Sequence, residues 1–315
     1  MKKKKFCCPL FYGRNMKRTI SFKITDEYEN MPVSQVLHKK MNMSSSLIRK
    51  LKQYPDGILL NGERTRIIDS VSCLDVVEIN IHEGQSQIKP EKIPLDIVYE
   101  DEDVLIICKQ PGLPTHPSHG HCGKTVANAA TAHYLEEGEE HIFRPVNRLD
   151  MDTSGLMCIA KNSYANAILC SQLESGALRR RYTAIAVGGL SGSGTIDAPI
   201  IREDFLKRKV DGGGQRAVTH YKVIENFGEY TLLELWLETG RTHQIRVHMS
   251  YIGYPLLGDW LYGTEDKKLF ERQALHSSYL EFIHPVTGEK MEFERKMAAD
   301  MKKFIDSIKN IEINH

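Results

Sequence analysis

The segment RPVNRLDMDTSGLMCIAK, residues 144–161, joins a loop rich in polar residues to a run of apolar ones. The run LMCIAK has the length and composition of a buried strand. In the loop before it, Asp150 and Asp152 follow closely on Arg148. An acidic residue in this position can cap an Asx-type turn, and Thr-Ser-Gly is ordinary turn chemistry. These residues alone leave both a structural turn and a reactive loop open.

The segment LLELWLETGRTHQIRVHMSYIGYP, residues 232–255, changes from strand alternation to a helical pattern. We expect Thr242 to be the N-cap of this helix and Gly253 to end it. His243 and Arg246 then lie one helical step apart on the same side. An arginine in that place can pair with a carboxylate, and the structural alternative is a helix with a charged outer face.

Two further segments carry polar residues at the ends of predicted strands. PLDIVYEDEDVLIICKQPGLPTHPS, residues 94–118, predicts a hairpin and a loop, with Lys109 just before a Pro-Gly turn. In ALRRRYTAIAVG, Tyr182 opens a strand after three arginines, where a tyrosine usually packs half-buried on a sheet. Many short strands with irregular helices predict an α+β fold with a largely antiparallel sheet. The helical patterns cover residues 124–137, 162–175, 241–253 and 298–310.

Metal and disulfide patterns are absent from the sequence. His243 and His248 are five residues apart, which places them on different faces of a helix, and no third ligand accompanies them. The seven cysteines are scattered, odd in number, and form no C-x-x-C pair. We therefore expect neither a metal site nor a disulfide framework.

The 315 residues suggest two domains of unequal size, with an ordinary globular composition of 41% hydrophobic and 26% charged residues. No apolar run of about 18 residues predicts a membrane span, and MKKKKFCCPLFYG does not resemble a signal peptide. We therefore expect a cytoplasmic protein. Charge is uneven, because residues 1–86 carry fifteen Lys/Arg against nine Asp/Glu, although the net charge of the chain is only +1. This excess favours a polyanion as partner, and the alternative is a solvated basic surface.

The order of patterns predicts a basic arm over residues 1–18, a small domain over 19–84, a linker over 85–94 and a larger domain over 95–315. The small domain is expected to contain a strand, two short helices and a hairpin that turns at Asn61-Gly62. In its second helix, which a serine among residues 44–46 can cap, one face is apolar and another is basic. The basic residues are Arg49, Lys50 and Lys52.

Taken together and in this order, the four segments resemble the RluA/RluD family of RNA pseudouridine synthases. That family shows H-R-L-D-x-x-T-S-G, then a tyrosine after a basic stretch, then L-x-T-G-R-T-H-Q-I-R-x-H. The resemblance spans residues 90–293 and includes PLLGDWLYG and QALHSSYLEFIHPVTGE. Residues 20–83 resemble the S-four RNA-binding domain. One departure is Asn147, where the family motif most often has histidine.

The resemblance implies a small RNA-binding domain followed by a catalytic domain with a central mixed, largely antiparallel sheet. Asp150 would attack the target nucleoside, and Arg246 would hold that carboxylate. Arg148 would fill the place of the extruded uridine, and Tyr182 would stack on the flipped base. Such an enzyme acts on RNA without a cofactor or metal. We expect RNA contacts from Arg148, Arg241, His243, Arg49, Lys50 and Lys52.

The resemblance favours large-subunit ribosomal RNA as the substrate, with tRNA as the alternative, and a monomer as the default state. Two other classes of function stay open. One is a noncatalytic RNA-binding factor in ribosome assembly. The other is a glycosidase-like hydrolase, which requires two positioned carboxylates, and Asp152 is the candidate partner of Asp150 by proximity.

Overall fold

The structure is a computed structural model that describes residues 17–117, 123–263 and 269–313. The predicted basic arm, residues 1–18, lies almost wholly outside the described residues. Across the described ranges, no helix is both long and apolar enough to cross a membrane.

The chain divides into two compact units. Residues 1–92, where described, group with residues 128–143, and the second unit contains 93–127 and 144–315. Part of the predicted linker is hydrogen-bonded within the first unit. Asn128 Nδ2 donates to Lys89 O at 2.8 Å, and Glu91 N donates to Asn128 O at 3.1 Å. The first unit therefore takes in a second stretch of chain that the sequence boundaries assign to the larger domain.

The first unit contains a four-stranded antiparallel sheet in the order β1-β4-β2-β3 and two short helices. Ser44 caps the second helix, because its Oγ accepts a hydrogen bond from Leu47 N at 3.2 Å. Apolar residues of that helix, Ile48 and Leu51, are buried with those of the sheet. The elements are β1 Lys17–Lys23, α1 Val33–Lys39, α2 Ser45–Leu51, β2 Ile58–Leu60, β3 Glu63–Arg64 and β4 Val76–His82.

The predicted hairpin at Asn61-Gly62 is confirmed. Leu60 and Glu63 face each other across the turn, which leaves two residues in the loop. Asn61 has φ 52° and Gly62 has φ 83°, as a type I′ turn requires of both central positions. Because this geometry depends only on neighbouring residues, local sequence was sufficient to predict it.

The second unit is built on a ten-stranded sheet with helices packed against it. Its strands are β5 Asp96–Glu100, β6 Val104–Lys109, β7 Arg144–Pro145, β8 Ser154–Ala160, β9 Arg179–Val187, β10 Ser193–Asp197, β13 Val218–Asn226, β14 Tyr230–Leu237, β15 Leu275–Ile283 and β16 Lys290–Glu294. A separate hairpin pairs β11 Ile200–Arg202 with β12 Arg208–Val210. The remaining helices are α3 Val126–Glu136, which crosses the boundary between the units, α4 Ser163–Ser175, α5 Gln244–Tyr251 and α6 Ala299–Ile313.

The strand order is β10-β13-β14-β9-β15-β8-β6-β5, with β16 beside β15 and β7 beside β8. Among the described strands, the pairing of β15 with β8 is parallel and the others are antiparallel. This confirms the predicted α+β fold with a mixed, largely antiparallel central sheet. Every residue of β8 is buried, as expected for a central strand covered on both faces.

Helix α4 explains how one face of β8 is covered. Its residues Ala165 and Leu169 pack with Leu156 and Cys158 of β8 and with Phe282 of β15 in one buried apolar cluster. Asn162 caps this helix by accepting a hydrogen bond from Ala165 N. The strand that follows the polar loop is thus held in the centre of the core, which gives the loop a rigid base.

Candidate active site

The loop that carries Asp150 is a tight turn fixed at its exit by β8. Thr153 N donates to Asp150 O at 3.1 Å, which closes the turn. Beyond it, Gly155 has φ 112°, and a Cβ there would lie 2.2 Å from Ser277 O. Only glycine therefore permits β8 to pass so close to β15.

Asn147, where the family motif most often has histidine, has a structural place beside this turn. It is buried, its Oδ1 accepts from Cys158 N at 2.8 Å, and its Nδ2 donates to Leu156 O at 3.3 Å. The amide side chain thus fastens the chain before the turn to strand β8. Its hydrogen bonds go to backbone, and the Asp150 side chain is not among its partners in the described residues.

Asp150 and Arg246 are brought together as expected. Arg246 NH1 lies 3.1 Å from Asp150 Oδ2, although the two residues are far apart in sequence. Arg246 also makes a bidentate pair with Asp259, at 2.7 Å and 2.8 Å. Burial acts to lower the pKa of Arg246, but Asp259 and then Asp150 outweigh it and raise the pKa above its ordinary value. The guanidinium is therefore a permanent positive charge beside Asp150.

His243 approaches the same carboxylate from the start of helix α5. Its Nε2 lies 3.9 Å from Asp150 Oδ2. The expected N-cap, Thr242, is wrong: the N-cap is His243, which has φ 58° and makes no capping hydrogen bond through its side chain. Thr242 is displaced because Gln244 already ties the preceding backbone, as its Oε1 accepts from Arg241 N at 2.9 Å. The helix ends at Tyr251, shortly before Gly253 as predicted.

The segment 109–115 holds the backbone on both sides of Asp150. The Lys109 ammonium donates to Met151 O at 2.7 Å, and Thr115 Oγ1 donates to Leu149 O at 2.9 Å. Lys109 is only 2% exposed and also donates to Leu113 O. Burial lowers the pKa of Lys109 to about 7, and the charges of Asp152 and Asp150 oppose that shift.

Arg272 fastens the exit of the turn to the C-terminal helix. It donates to Asp152 O at 3.0 Å and to Ser154 Oγ at 3.3 Å. It also makes a bidentate pair with Asp300, at 2.7 Å and 2.9 Å. The turn is therefore held at three places by side chains from distant parts of the sequence.

Tyr182 lies close to this turn by strand register. It is 4% exposed in β9 and opposite Ser277 of β15, which on its other side is opposite Gly155. Two strand spacings of about 4.8 Å separate Tyr182 from Gly155. Among the described residues, Tyr182 makes no hydrogen bond with Asp150, so the structure places it near the turn without joining the two side chains.

The remaining predicted RNA-contacting residues are exposed. Arg148 lies just before the turn, and Arg241 lies before helix α5, where its Nε donates to Arg216 O at 3.0 Å. In the first unit, the basic residues of α2 point away from its buried face. All three are exposed to solvent: Arg49, Lys50 and Lys52.

One cluster in the second unit has the composition of a metal site. Potential ligand atoms of Asp101, Asp103 and His284 lie within 4.8 Å of one another. The Asp101 carboxylate is already engaged, because its Oδ1 accepts from two backbone N–H groups and its Oδ2 accepts from Tyr99, while His284 Nε2 lies 3.0 Å from that Oδ2. Asp103 accepts from Asn162. The arrangement is that of a hydrogen-bonded turn.

Sequence reasoning missed three members of the site: Asp259, Tyr262 and the anchoring role of Lys109. Asp259 and Tyr262 lie in PLLGDWLYG, where a carboxylate between apolar residues is a signal for a buried ion pair. Tyr262 lies under Arg246, with the guanidinium carbon 5.1 Å from the ring centroid. Asp259 is fully buried and both its oxygens bind Arg246. It is therefore not available as the second reactive carboxylate that a glycosidase needs.

Comparison with known proteins gives concordant results. A model of the RNA pseudouridylate synthase family matches residues 103–251. The chain is 42% identical over 271 residues to the uncharacterized RNA pseudouridine synthase YjbO of Bacillus subtilis. The aligned region covers 84% of this chain and 95% of that protein. The chain is 43% identical over 230 residues to ribosomal large subunit pseudouridine synthase D of Zymomonas mobilis, covering 68% and 73%. The fold is similar to that of human RNA pseudouridylate synthase domain containing 4, with a TM-score of 0.56, 23% identity, and 68% and 92% coverage.

Proposed function

This chain belongs to the RNA pseudouridine synthase family, and from that premise we propose that it isomerises specific uridines of large-subunit ribosomal RNA with Asp150 as the nucleophile. The observation that carries the proposal is the ion pair of Asp150 and Arg246 at 3.1 Å, in a turn held rigidly on a central strand. The choice of RNA rests on relatives named for the large subunit. If the modified uridines are found in tRNA instead, the proposed substrate changes to tRNA.

The reaction breaks the bond from ribose C1′ to uracil N1 and forms a bond from C1′ to C5 of the same base. The C5 proton is lost and N1 gains a proton, so electrons balance without an oxidant or reductant. Asp150 must be ionised to act as a nucleophile, and the Arg246 charge stabilises that form. We propose a monomeric, cytoplasmic enzyme that needs neither cofactor nor metal for this exchange.

A stacked or paired uridine does not expose its glycosidic bond, so the base must leave the RNA stack. Extrusion costs a few kcal/mol and is least costly in loops. We assign Arg148, which is exposed beside Asp150, to the place that the base vacates. Tyr182 is assigned to the flipped base, and Arg241, His243 and the basic face of α2 to the surrounding RNA.

The proposal is tested by mapping pseudouridines in total RNA from cells with and without the gene, complemented by wild type or by Asp150→Asn. We expect specific ribosomal sites to disappear and only wild type to restore them. Purified Asp150→Asn should bind RNA as wild type does, because the side chain keeps its size. Turnover by Asp150→Asn would refute the role of Asp150, and loss of tRNA sites alone would change the substrate.

A further inference from the structure

Tyr262 stands at the junction of four contacts around the proposed nucleophile. Its hydroxyl lies 2.8 Å from His243 Nδ1 and accepts from Arg208 N at 2.9 Å. Its backbone N donates to Asp259 Oδ1 at 3.2 Å, and its ring lies under Arg246. Both side chains that reach Asp150 are therefore in contact with Tyr262.

The two partners of the hydroxyl favour one direction for its proton. A backbone N–H can only donate, so the contact with Arg208 N uses a lone pair of the Tyr262 oxygen. The hydroxyl proton is then available to His243 Nδ1, the other atom within hydrogen-bond distance. An imidazole that accepts at Nδ1 and is neutral must carry its own proton at Nε2, the nitrogen that lies 3.9 Å from Asp150 Oδ2.

The backbone of His243 supports a specific purpose for this orientation. His243 has φ 58°, a left-handed conformation that is uncommon for residues other than glycine. Such conformations persist where the surrounding structure imposes them, and they concentrate at functional sites. Burial lowers the pKa of His243, against the opposing charge of Asp150, so the ring is neutral at physiological pH.

The contacts to Asp150 are directed at one oxygen. Arg246 NH1 and His243 Nε2 both face Oδ2, and within the described residues no hydrogen bond engages Oδ1. The separation of 3.9 Å is longer than a hydrogen bond, and the two atoms would have to approach by roughly 1 Å to form one. Catalytic hydrogen bonds commonly tighten when substrate binds. Oδ1 is thus the oxygen left for the substrate.

We propose that Tyr262 is a positioning residue that holds His243 in the tautomer protonated at Nε2, so that this N–H orients the Asp150 carboxylate together with Arg246. The inference rests on the proposed function of Asp150. It also links Asp150 to the β11–β12 hairpin, because Arg208 opens β12 and its backbone fixes the Tyr262 hydroxyl. Phe205 and Leu206, at the tip of that hairpin, are 73% and 55% exposed.

The tautomer is measured first, by nitrogen NMR of histidine-labelled protein without RNA, with the His243 signals assigned by their loss in His243→Asn. Asparagine suits this variant because it tolerates the left-handed conformation. In wild type we expect the ring proton of His243 to be on Nε2. In Tyr262→Phe we expect the proton no longer to be fixed on that nitrogen. A wild-type proton on Nδ1 would overturn the proposal, whether or not the protein modifies RNA.

The effect on catalysis is measured in a double-mutant cycle under steady-state conditions. Tyr262→Phe removes only the hydroxyl, and we expect kcat to fall about tenfold with little change in KM, as for the loss of one hydrogen bond that matters in the transition state. In the His243→Asn background the same change should alter kcat by less than about twofold. Equal losses in both backgrounds would overturn the coupling.

Tyr251→Phe is the matched control, because it makes the same substitution at a tyrosine that is 61% exposed. Tyr251 lies at the end of helix α5, of which His243 is the N-cap. This variant should leave kcat and the His243 spectrum unchanged. A wild-type protein without activity on any RNA would refute the proposed function, while the NMR result would still decide the tautomer.

Discussion

At the scale of single residues, Arg246 serves two carboxylates that differ in exposure. The Asp259 side chain is fully buried, whereas that of Asp150 is 25% exposed. The bidentate pair with Asp259 fixes the plane of the guanidinium, which leaves NH1 directed at Asp150. Asp259 therefore fixes the orientation of Arg246 in the free protein, and in the proposed mechanism this reduces the side-chain freedom that is lost in the reaction.

Replacement of Arg246 by alanine is expected to reduce both activity and stability. It leaves the Asp259 carboxylate buried and unpaired, which costs on the order of 3–5 kcal/mol in the free energy of unfolding. Chemical denaturation and single-turnover assays measure the two effects. Arg66→Ala is the control, since it breaks an exposed pair with Asp69 and should leave stability unchanged. Wild-type turnover by a folded Arg246→Ala protein would remove Arg246 from the mechanism.

The contact of Arg246 with Asp150 was predicted from helical spacing and motif resemblance, and its contact with Asp259 was not. Helical spacing shows which face of α5 Arg246 occupies. Its partner Asp259 lies in a non-helical turn, and sequence periodicity does not predict where such a turn lies in the fold. Likewise, Lys109 was visible only as a lysine before a Pro-Gly turn. Its three carbonyl acceptors converge only in the folded chain.

At the scale of elements, local patterns predicted helices and hairpins well and one cap poorly. The Asn61-Gly62 turn and the Ser44 cap depend on neighbouring residues, and both are present. Helix α5 begins one residue later than expected because Gln244 and Thr239 form a hydrogen bond at 2.7 Å that shapes the chain before it. Side chains five residues apart thus overrule the preference of threonine for the N-cap.

Helix α2 is expected to contribute electrostatic affinity for RNA. The triple change of Arg49, Lys50 and Lys52 to glutamine removes three exposed charges from a face that takes no part in the core. If each contacts a phosphate of single-stranded RNA, the slope of log affinity against log salt should decrease by up to about 2. Fluorescence anisotropy over a salt series measures it.

Lys302→Gln with Lys303→Gln, which removes two exposed charges from α6, provides the comparison for that experiment. An unchanged slope in the α2 variant would show that the basic face of α2 does not contact RNA phosphates. These substitutions are preferable to deletion of residues 1–86, because residues 128–143 group with that part of the chain and deletion would expose them.

At the scale of the whole molecule, Lys109 makes stability depend on pH. Its pKa falls from 10.5 to about 7 on folding, so the unfolded chain binds more protons between these values. The stability due to this group is fully present above 10.5 and is lost as pH falls through about 7, with a slope on the order of 1.4 kcal/mol per pH unit between them. Wild type should gain stability relative to Lys109→Met from pH 7 to pH 9. Parallel curves in urea unfolding would contradict the shift.

The arrangement of strands in the sheet was only partly predictable from the sequence. Alternation and motif order predicted a largely antiparallel sheet, and the structure confirms it. The parallel pairing of β15 with β8, which joins His276 to Ser154 across more than one hundred residues, leaves no local pattern. Pairings of this kind carry an entropy cost of loop closure that local contacts do not carry.

The turn at Asp150 is completed by residues that follow it at a great distance in the chain. Arg246, Asp259, Arg272 and Asp300 all lie closer to the C-terminus. During translation, Asp150 leaves the ribosome long before these partners are synthesised. A nascent chain therefore carries the aspartate without the charged side chains that surround its turn until the segment through Asp300 has been synthesised.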